Sequence, residues 1–137
     1  MRAEPLVRTG LVLLALGDGV PAAWAAAFPL SFFHGFPTPD RAWLTLFPPY
    51  NEHMTRDFGL IALPFVAVLL YAAAVPHRGL VRAVLLASLL FSVPHLVFHQ
   101  NHLVPSPDVP VQVASQVLPI AVALVALALN ERSTPPR

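Results

Sequence analysis

Four long apolar stretches constrain this chain more than any other feature of its sequence. They cover residues 6–27, 58–75, 80–97 and 109–129, and each contains an internal proline. At about 1.5 Å of rise per residue, each stretch can cross a hydrocarbon core of about 30 Å as a helix. Proline would break such a helix in water, whereas neighbouring helices in a membrane tolerate it as a kink. The sequence therefore predicts four kinked transmembrane helices.

The composition agrees with a small membrane protein. Of the 137 residues, 56% are hydrophobic and 11% are charged, whereas soluble domains carry about 25% charge. Four spans of about 20 residues use most of this length, which excludes a separate soluble catalytic domain. We therefore predict an all-α fold, a polytopic membrane protein in which residues 1–137 form a single four-transmembrane-helix bundle.

The first stretch permits a second interpretation. Arg2 and Arg8 precede an apolar run that ends in the small residues around Trp24, and this order is also typical of a secretory signal. We interpret the segment as the first helix of the bundle.

The arginines predict the orientation of the helices. Arg41 and Arg56 follow the first stretch, and the other six arginines flank the opposite ends of the four stretches. Because positive residues near spans stay cytoplasmic, both termini are expected in the cytoplasm of a bacterium, with the protein in its inner (plasma) membrane. Residues 28–57 then form an outer loop, in which the amphipathic piece 40–47 is expected to lie on the membrane surface as a short interfacial helix.

Histidines and carboxylates gather at the predicted outer ends of the helices. His95, His99 and His102 are spaced i, i+4, i+7 on one face of the third helix. The antiparallel second helix begins at the same level with five further polar residues: Asn51, Glu52, His53, Arg56 and Asp57. Asn51 is expected to cap this helix, and Glu52 with Arg56, and His53 with Asp57, have the i,i+4 spacing of side-chain pairs.

The remaining two helices add polar groups at a similar depth. Asp18 lies within the first helix, and Gln112 and Gln116 lie in the first turns of the fourth. A carboxylate inside a membrane is costly and is expected to face the bundle interior. All four helices are therefore expected to direct polar groups into one outer cavity.

This cavity fits a transition metal best, bound for catalysis or cofactor handling. The chain has no cysteine, so nitrogen and oxygen ligands would hold Zn, Fe or Cu, as in other four-helix bundles. The expected ligands are His53, His95 and His99, with Glu52 or Asp57 as a carboxylate, and His102 in reserve. Haem between facing histidines is less favoured, because no other haem signature is present.

Two metal-free interpretations remain open. Asp18, Arg56, Asn51, Gln112 and Gln116 could form a proton relay or bind the head group of a lipid or quinone. Alternatively, the helices could pack against a larger membrane complex or a second copy of the chain, with the polar cluster holding the assembly together. No catalytic residue is predicted, and a net charge of +1 gives no indication of nucleic-acid binding.

Two short motifs carry a resemblance to known proteins. At Pro49–His53, continuing to Arg56 and Asp57, and at Pro94–His99, the chain resembles small actinobacterial membrane proteins whose four-helix layout is DoxX-like. DoxX-type proteins are associated with quinone or sulfur redox partners, so the resemblance implies an accessory role beside a membrane redox complex. It implies no catalytic residue.

Overall fold

A computed structural model describes residues 3–47 and 49–132, and their regular structure is entirely helical. The helices are α1 (Ala3–Ala27), α2 (Pro29–Gly35), α3 (Glu52–Ala74), α4 (Arg78–Asn101) and α5 (Val109–Arg132), with a 3-10 turn at Trp43–Leu46. No strand occurs among these residues, and the predicted all-α fold class is confirmed.

Helices α1, α3, α4 and α5 are each long and apolar enough to cross a membrane. Each also contains a proline in its interior, as the sequence predicts. Many large apolar side chains are exposed, and the extreme cases are Leu90 and Ile61, at 78% and 76%. Water would not tolerate so much exposed apolar surface, whereas lipid does. The protein is therefore a multi-pass membrane protein.

The bounds of the long helices differ from the predicted apolar stretches by a few residues, and the largest difference is at the start of α3. This helix begins at Glu52 rather than at residue 58. Asn51 acts as its N-cap, because the Asn51 Oδ1 accepts a hydrogen bond of 3.1 Å from the Met54 N–H. Because the cap stabilises the first turn, the helix begins with charged residues that an apolar count excludes. Residues 52–57 are therefore the first turns of α3 and not the end of the predicted loop.

The remaining part of the predicted loop is also partly ordered. Helix α2 begins at Pro29, a residue suited to the first helical position because it has no N–H to satisfy. Instead of the interfacial helix predicted at 40–47, the structure has a single 3-10 turn of four residues.

Packing divides the chain into two compact units. The central unit is Leu16–Ala67, and the terminal unit combines the chain up to Ala15 with the chain from Val68 onward. Helices α1 and α3 therefore contribute one part to each unit. That residues 1–137 form a single domain stays a prediction.

Small residues bring α1 and α3 close together in the central unit. A Cβ atom added at Gly59 would lie 2.6 Å from the Ala26 backbone nitrogen, closer than side chains pack. Glycine is therefore the only residue that fits here without a shift of backbone. Beside this contact, Phe32 is buried, with its ring centroid 5.7 Å from that of Trp24 and 6.0 Å from that of Phe58.

Helices α4 and α5 pack side by side as an antiparallel pair in the terminal unit. The first residue of α4 meets the end of α5, where the Asn130 amide donates to the Arg78 carbonyl oxygen at 3.2 Å. Leu85 and Ala123 are both fully buried further along the pair. These contacts fix the register of the two helices.

Arginine side chains cap the ends of neighbouring helices in this unit. Arg8, near the start of α1, donates to the carbonyl oxygens of Ala73 and Ala74 in the last turn of α3, at 2.7 and 3.1 Å, and pairs with Glu4 at 2.9 Å. The last carbonyls of a helix have no partner within it and carry its negative dipole end. A guanidinium placed there donates hydrogen bonds to these carbonyls and brings a positive charge to the negative end of the dipole.

The same arrangement occurs between α4 and α5. Arg78 donates to the carbonyl oxygen and to the carboxylate of Glu131, both at 2.9 Å. Arg82 lies 3.5 Å from the same carboxylate.

Candidate functional site

A continuous polar face runs along the second half of α4. Ser88, Ser92, His95, His99 and His102 follow one another at spacings of four and three residues, which places them on one side of the helix. The same spacing continues backward through Leu85 and Val81, which are buried. The face that forms the core at the start of α4 therefore becomes polar towards its end.

Helix α5 presents a matching face. Its buried residues Ala123, Ala126 and Asn130 are spaced three and four apart, and the same spacing leads back to Gln116 and Gln112. The small inner residues let the helices approach, and the amides lie on the same face nearer the start of α5. We call the six residues Ser88, Ser92, His95, His99, Gln112 and Gln116 the polar stripe.

The helix register brings the two halves of the polar stripe to the same level. In an antiparallel pair, each step forward along one helix corresponds to one step backward along the other, because both helices rise by the same amount per residue. The contact between Arg78 and Asn130 provides the starting point for this count. Counting from that contact places Gln116 level with Ser92. Gln112 is placed level with Leu96, one residue beyond His95.

Three atoms of the polar stripe are buried without a hydrogen-bond partner. Within the residues the structure describes, they are Ser88 Oγ, Gln112 Nε2 and Gln116 Oε1. Leaving such a group unsatisfied costs about 1–3 kcal/mol, and native proteins leave few of them so. The three atoms are a hydroxyl, an amide donor and an amide acceptor, and all belong to the polar stripe.

Aromatic rings flank the histidines of the stripe. The His95 ring stacks on Phe91 at a centroid distance of 5.2 Å and an interplanar angle of 23°. The His99 ring meets His95 edge-on at 4.6 Å. His102 stacks on Phe98 at 4.2 Å, and its Nδ1 lies 2.9 Å from the Phe98 carbonyl oxygen. His102 is thus engaged at the end of α4, while His95 and His99 form an adjacent imidazole pair.

Proline adds backbone acceptors to the same region. Pro119 has no N–H to donate to the Ser115 carbonyl, and Pro94 has none for the Leu90 carbonyl. The Ser115 hydroxyl, a separate group, donates to the Gln112 carbonyl at 2.7 Å. Each of the two prolines therefore leaves one backbone carbonyl without its usual helical donor.

The charged residues at the start of α3 form two local pairs, as their spacing predicts. Arg56 binds Glu52 at 2.8 Å, and it also donates to the Ala26 carbonyl oxygen at the end of α1, at 2.7 Å. His53 Nε2 lies 3.2 Å from Asp57 Oδ2, with 85% and 46% of the two side chains exposed. Arg56 and Glu52 therefore serve as a helix cap, and the exposed His53–Asp57 pair contributes little stability.

Asp18 stands apart from these pairs. It is half-buried within α1 and makes no hydrogen bond or ion pair with another residue in the described ranges. Pro21 cannot donate to the carbonyl oxygen of Gly17, the residue before Asp18. The central unit thus carries a carboxyl group and a backbone acceptor side by side within a membrane-spanning helix.

Outside the spans, two residues of the loop have shifted ionisation. A hydrogen bond from the Thr38 side chain holds the pKa of Asp40 below its usual range. Desolvation, together with the nearby Glu52 charge, raises the pKa of Tyr50. In α2, the His34 ring packs edge-on against Phe33 at 5.2 Å.

The predicted site residues divide between the two units. Asp18, Asn51, Glu52, His53, Arg56 and Asp57 belong to the central unit, whereas His95, His99, His102, Gln112 and Gln116 belong to the terminal unit. Among residues 3–47 and 49–132, no group of three or more His, Cys, Asp or Glu side chains is arranged to hold a metal ion. The metal site and the shared outer cavity stay predictions.

Sequence reasoning missed the two serines of the polar stripe. Ser92 and Ser88 continue the histidine spacing backward, by three and seven residues from His95. That periodicity was available in the sequence, but single serines are unremarkable in apolar helices. Their significance depends on the burial of Ser88.

Comparison with known proteins gives no match: neither a family model, nor a curated protein, nor a solved structure is similar to this chain.

Proposed function

We propose that this membrane protein binds the neutral, hydrogen-bonding head group of a membrane amphiphile at the polar stripe between α4 and α5. The observation that carries the proposal is the set of three buried, unpartnered atoms, Ser88 Oγ, Gln112 Nε2 and Gln116 Oε1. A carbonyl on the ligand would accept from the hydroxyl or the amide. A hydroxyl on the ligand would donate to Gln116.

The charge of the stripe favours a neutral head group. Residues 83–119 contain one charged side chain, Asp108, in the connection between the helices, and no arginine or lysine. A phosphate would lack the cations that normally bind it. A quinone is the class that fits best, because it carries carbonyl or hydroxyl groups on a planar ring and the Phe91–His95 stack offers a parallel ring surface.

The arginine distribution supports the placement of this site in the membrane. Six of eight arginines flank one set of helix ends, and by the positive-inside rule this supports cytoplasmic termini and a polar stripe in the outer half of a bacterial inner membrane. The DoxX-like layout supports an accessory role beside a quinone-linked redox complex, with the lipid bilayer and that complex as partners.

A transition metal is the second candidate, and the His95–His99 contact favours it. Two imidazoles one helical turn apart, with centroids 4.6 Å apart, can share one ion. Such an ion needs further ligands, which the same two histidines of a second copy of the chain would supply.

Ligand binding by the purified protein in lipid nanodiscs tests the proposal. The probes are a short-chain benzoquinone, a short-chain naphthoquinone, a diacylglycerol and a sterol, each measured by equilibrium binding. We expect saturable binding of a quinone. Gln112→Leu and Gln116→Leu should each weaken it at least about tenfold, since a ligand group loses its buried partner. The control Gln100→Leu changes an exposed glutamine near the end of α4, off the stripe, and should leave binding unchanged.

The stability of the same variants sharpens the test. If Gln112 and Gln116 are kept for a ligand, their replacement by leucine should raise, or at least maintain, the unfolding temperature of the unliganded protein while abolishing binding. Saturable binding of only the diacylglycerol or sterol would identify a different neutral head group. Binding of none of the four probes would overturn the proposal. Stoichiometric metal in the purified protein, lost in His95→Ala, would replace it with the metal site.

A further inference from the structure

An apolar groove of about 310 Å³ lies between α1 and α5 in the terminal unit. Gly10 forms its floor opposite Ala126 and Val122. A Cβ atom added at Gly10 would lie 3.2 Å from the Ala126 Cβ and 3.6 Å from the Val122 Cγ1. Leu13 and Val125 form part of the wall and are more than half exposed. Because Gly10 has no side chain, the surface between the helices is concave.

The lining of the groove is almost entirely apolar. Thr9 is the one polar side chain that lines it, and the Thr9 hydroxyl donates to the Pro5 carbonyl at 2.9 Å. Only an apolar chain is suited to this surface.

The length of the groove matches one leaflet of a bilayer. On α5 the lining residues run from Ala121 to Leu129, which at 1.5 Å per residue is about 12 Å. Half of a hydrocarbon core of about 30 Å is about 15 Å. A chain lying in the groove would therefore come from the leaflet at the arginine-rich ends of the helices.

Positive charge lies at the end of the groove on that side. Arg132 follows Leu129 by three residues on the same face of α5. It is exposed and makes no ion pair or hydrogen bond with another described residue. Glu131, by contrast, already pairs with Arg78 and lies 3.5 Å from Arg82, so its charge is already matched by other arginines and Arg132 adds a further positive charge at this end.

We propose that the groove holds an acyl chain of an anionic phospholipid whose phosphate pairs with Arg132. The apolar groove selects the chain, and the cation at its end selects the charge of the head group. This site lies at the opposite end of α5 from Gln112 and Gln116, and it does not depend on the function proposed for the polar stripe.

Native mass spectrometry of the full chain, released from detergent, tests the charge selection. Phosphatidylglycerol and phosphatidylcholine with identical acyl chains are added separately, and the dissociation constant of the first bound lipid is measured for each. We expect phosphatidylglycerol to bind about fivefold more tightly, the preference that one arginine near a surface provides. Arg132→Gln should remove this preference, whereas Arg41→Gln, which removes the same charge in the central unit, should keep it.

A second pair of variants tests the groove itself. Val125→Trp places a bulky ring in the wall of the groove, and Leu124→Trp places the same ring on an exposed position of α5 that does not line it. We expect Val125→Trp to weaken both lipids at least about fivefold and Leu124→Trp to weaken neither, because only the first ring occupies the space of the acyl chain. Equal binding of the two lipids to the unmodified protein would overturn the proposal. Equal behaviour of the two tryptophan variants would also overturn it.

Discussion

The Arg56 guanidinium donates a 2.7 Å hydrogen bond to the carbonyl oxygen of Ala26, thirty residues earlier in the chain. The Nε atom of the same side chain donates to the Glu52 carboxylate, and this contact within α3 holds the guanidinium in the orientation that it needs to bind α1. The terminal unit repeats this arrangement with Glu4 and Arg8 against the last turn of α3. In both units an arginine near the start of one helix satisfies the end of its neighbour.

Loss of the Arg56 cap should destabilise the protein more than loss of its ion pair. Arg56→Gln is expected to lower the free energy of unfolding by about 1–2 kcal/mol, because a hydrogen bond from a charged donor to a helix end is lost. Glu52→Gln is the matched control and should cost about 0.5 kcal/mol or less, the value of an exposed i,i+4 pair. Reversible unfolding in bicelles measures both, and equal costs would contradict the capping role.

Gly59 should be far less tolerant of a side chain than Gly17. A Cβ at Gly59 would meet the backbone of Ala26, whereas a Cβ at Gly17 would have no atom within 4 Å. Gly59→Ala is expected to destabilise the protein by about 1–3 kcal/mol through overpacking. Gly17→Ala should be neutral or stabilising by up to about 1 kcal/mol, because alanine favours a helix. The same unfolding assay compares them, and a tolerated Gly59→Ala would contradict the close approach of α1 and α3.

Asp18 should make membrane insertion of α1 costly. Aspartate at the centre of a span costs about 2.5–3.5 kcal/mol on insertion scales, and leucine is slightly favourable. Asp18→Leu is therefore expected to improve the apparent insertion free energy of α1 by roughly 3 kcal/mol. A glycosylation-reporter assay on the full chain measures this. Unchanged insertion would mean that Asp18 does not lie within the hydrocarbon core.

Single cysteines can establish the orientation of the chain, because it contains no cysteine of its own. Both positions chosen are exposed: Thr38 lies in the connection after α2, and Gly79 lies at the start of α4. Thr38→Cys should react with a membrane-impermeant maleimide in intact cells, and Gly79→Cys should react only after the membrane is opened. The reverse pattern would refute the proposed topology.

Local features of the site were predictable from the sequence. The Asn51 cap, the Glu52–Arg56 and His53–Asp57 pairs and the common face of His95 and His99 all follow from spacings of three or four residues. Such contacts depend only on helix geometry, which any helical segment shares.

Features that join distant parts of the chain were not predictable. The acceptor of Arg56 is a backbone carbonyl, which has no sequence signature, and the fit of Gly59 against Ala26 depends on the distance between two helices. The apolar count alone started α3 six residues too late, because charged residues lower such a count, whereas the local Asn51 cap marks the actual start. The burial of Ser88 likewise required the packing of α4 against α5.

The composition of the polar stripe has an electrical consequence. Its hydroxyl, amide and imidazole groups carry no fixed charge, while the arginines Arg8, Arg56 and Arg78 lie at helix ends. A membrane potential acts on a charge by about 2.3 kcal/mol per 100 mV and does no work on a neutral group. A neutral head group would thus enter and leave the stripe with the same affinity in an energised membrane as in a depolarised one.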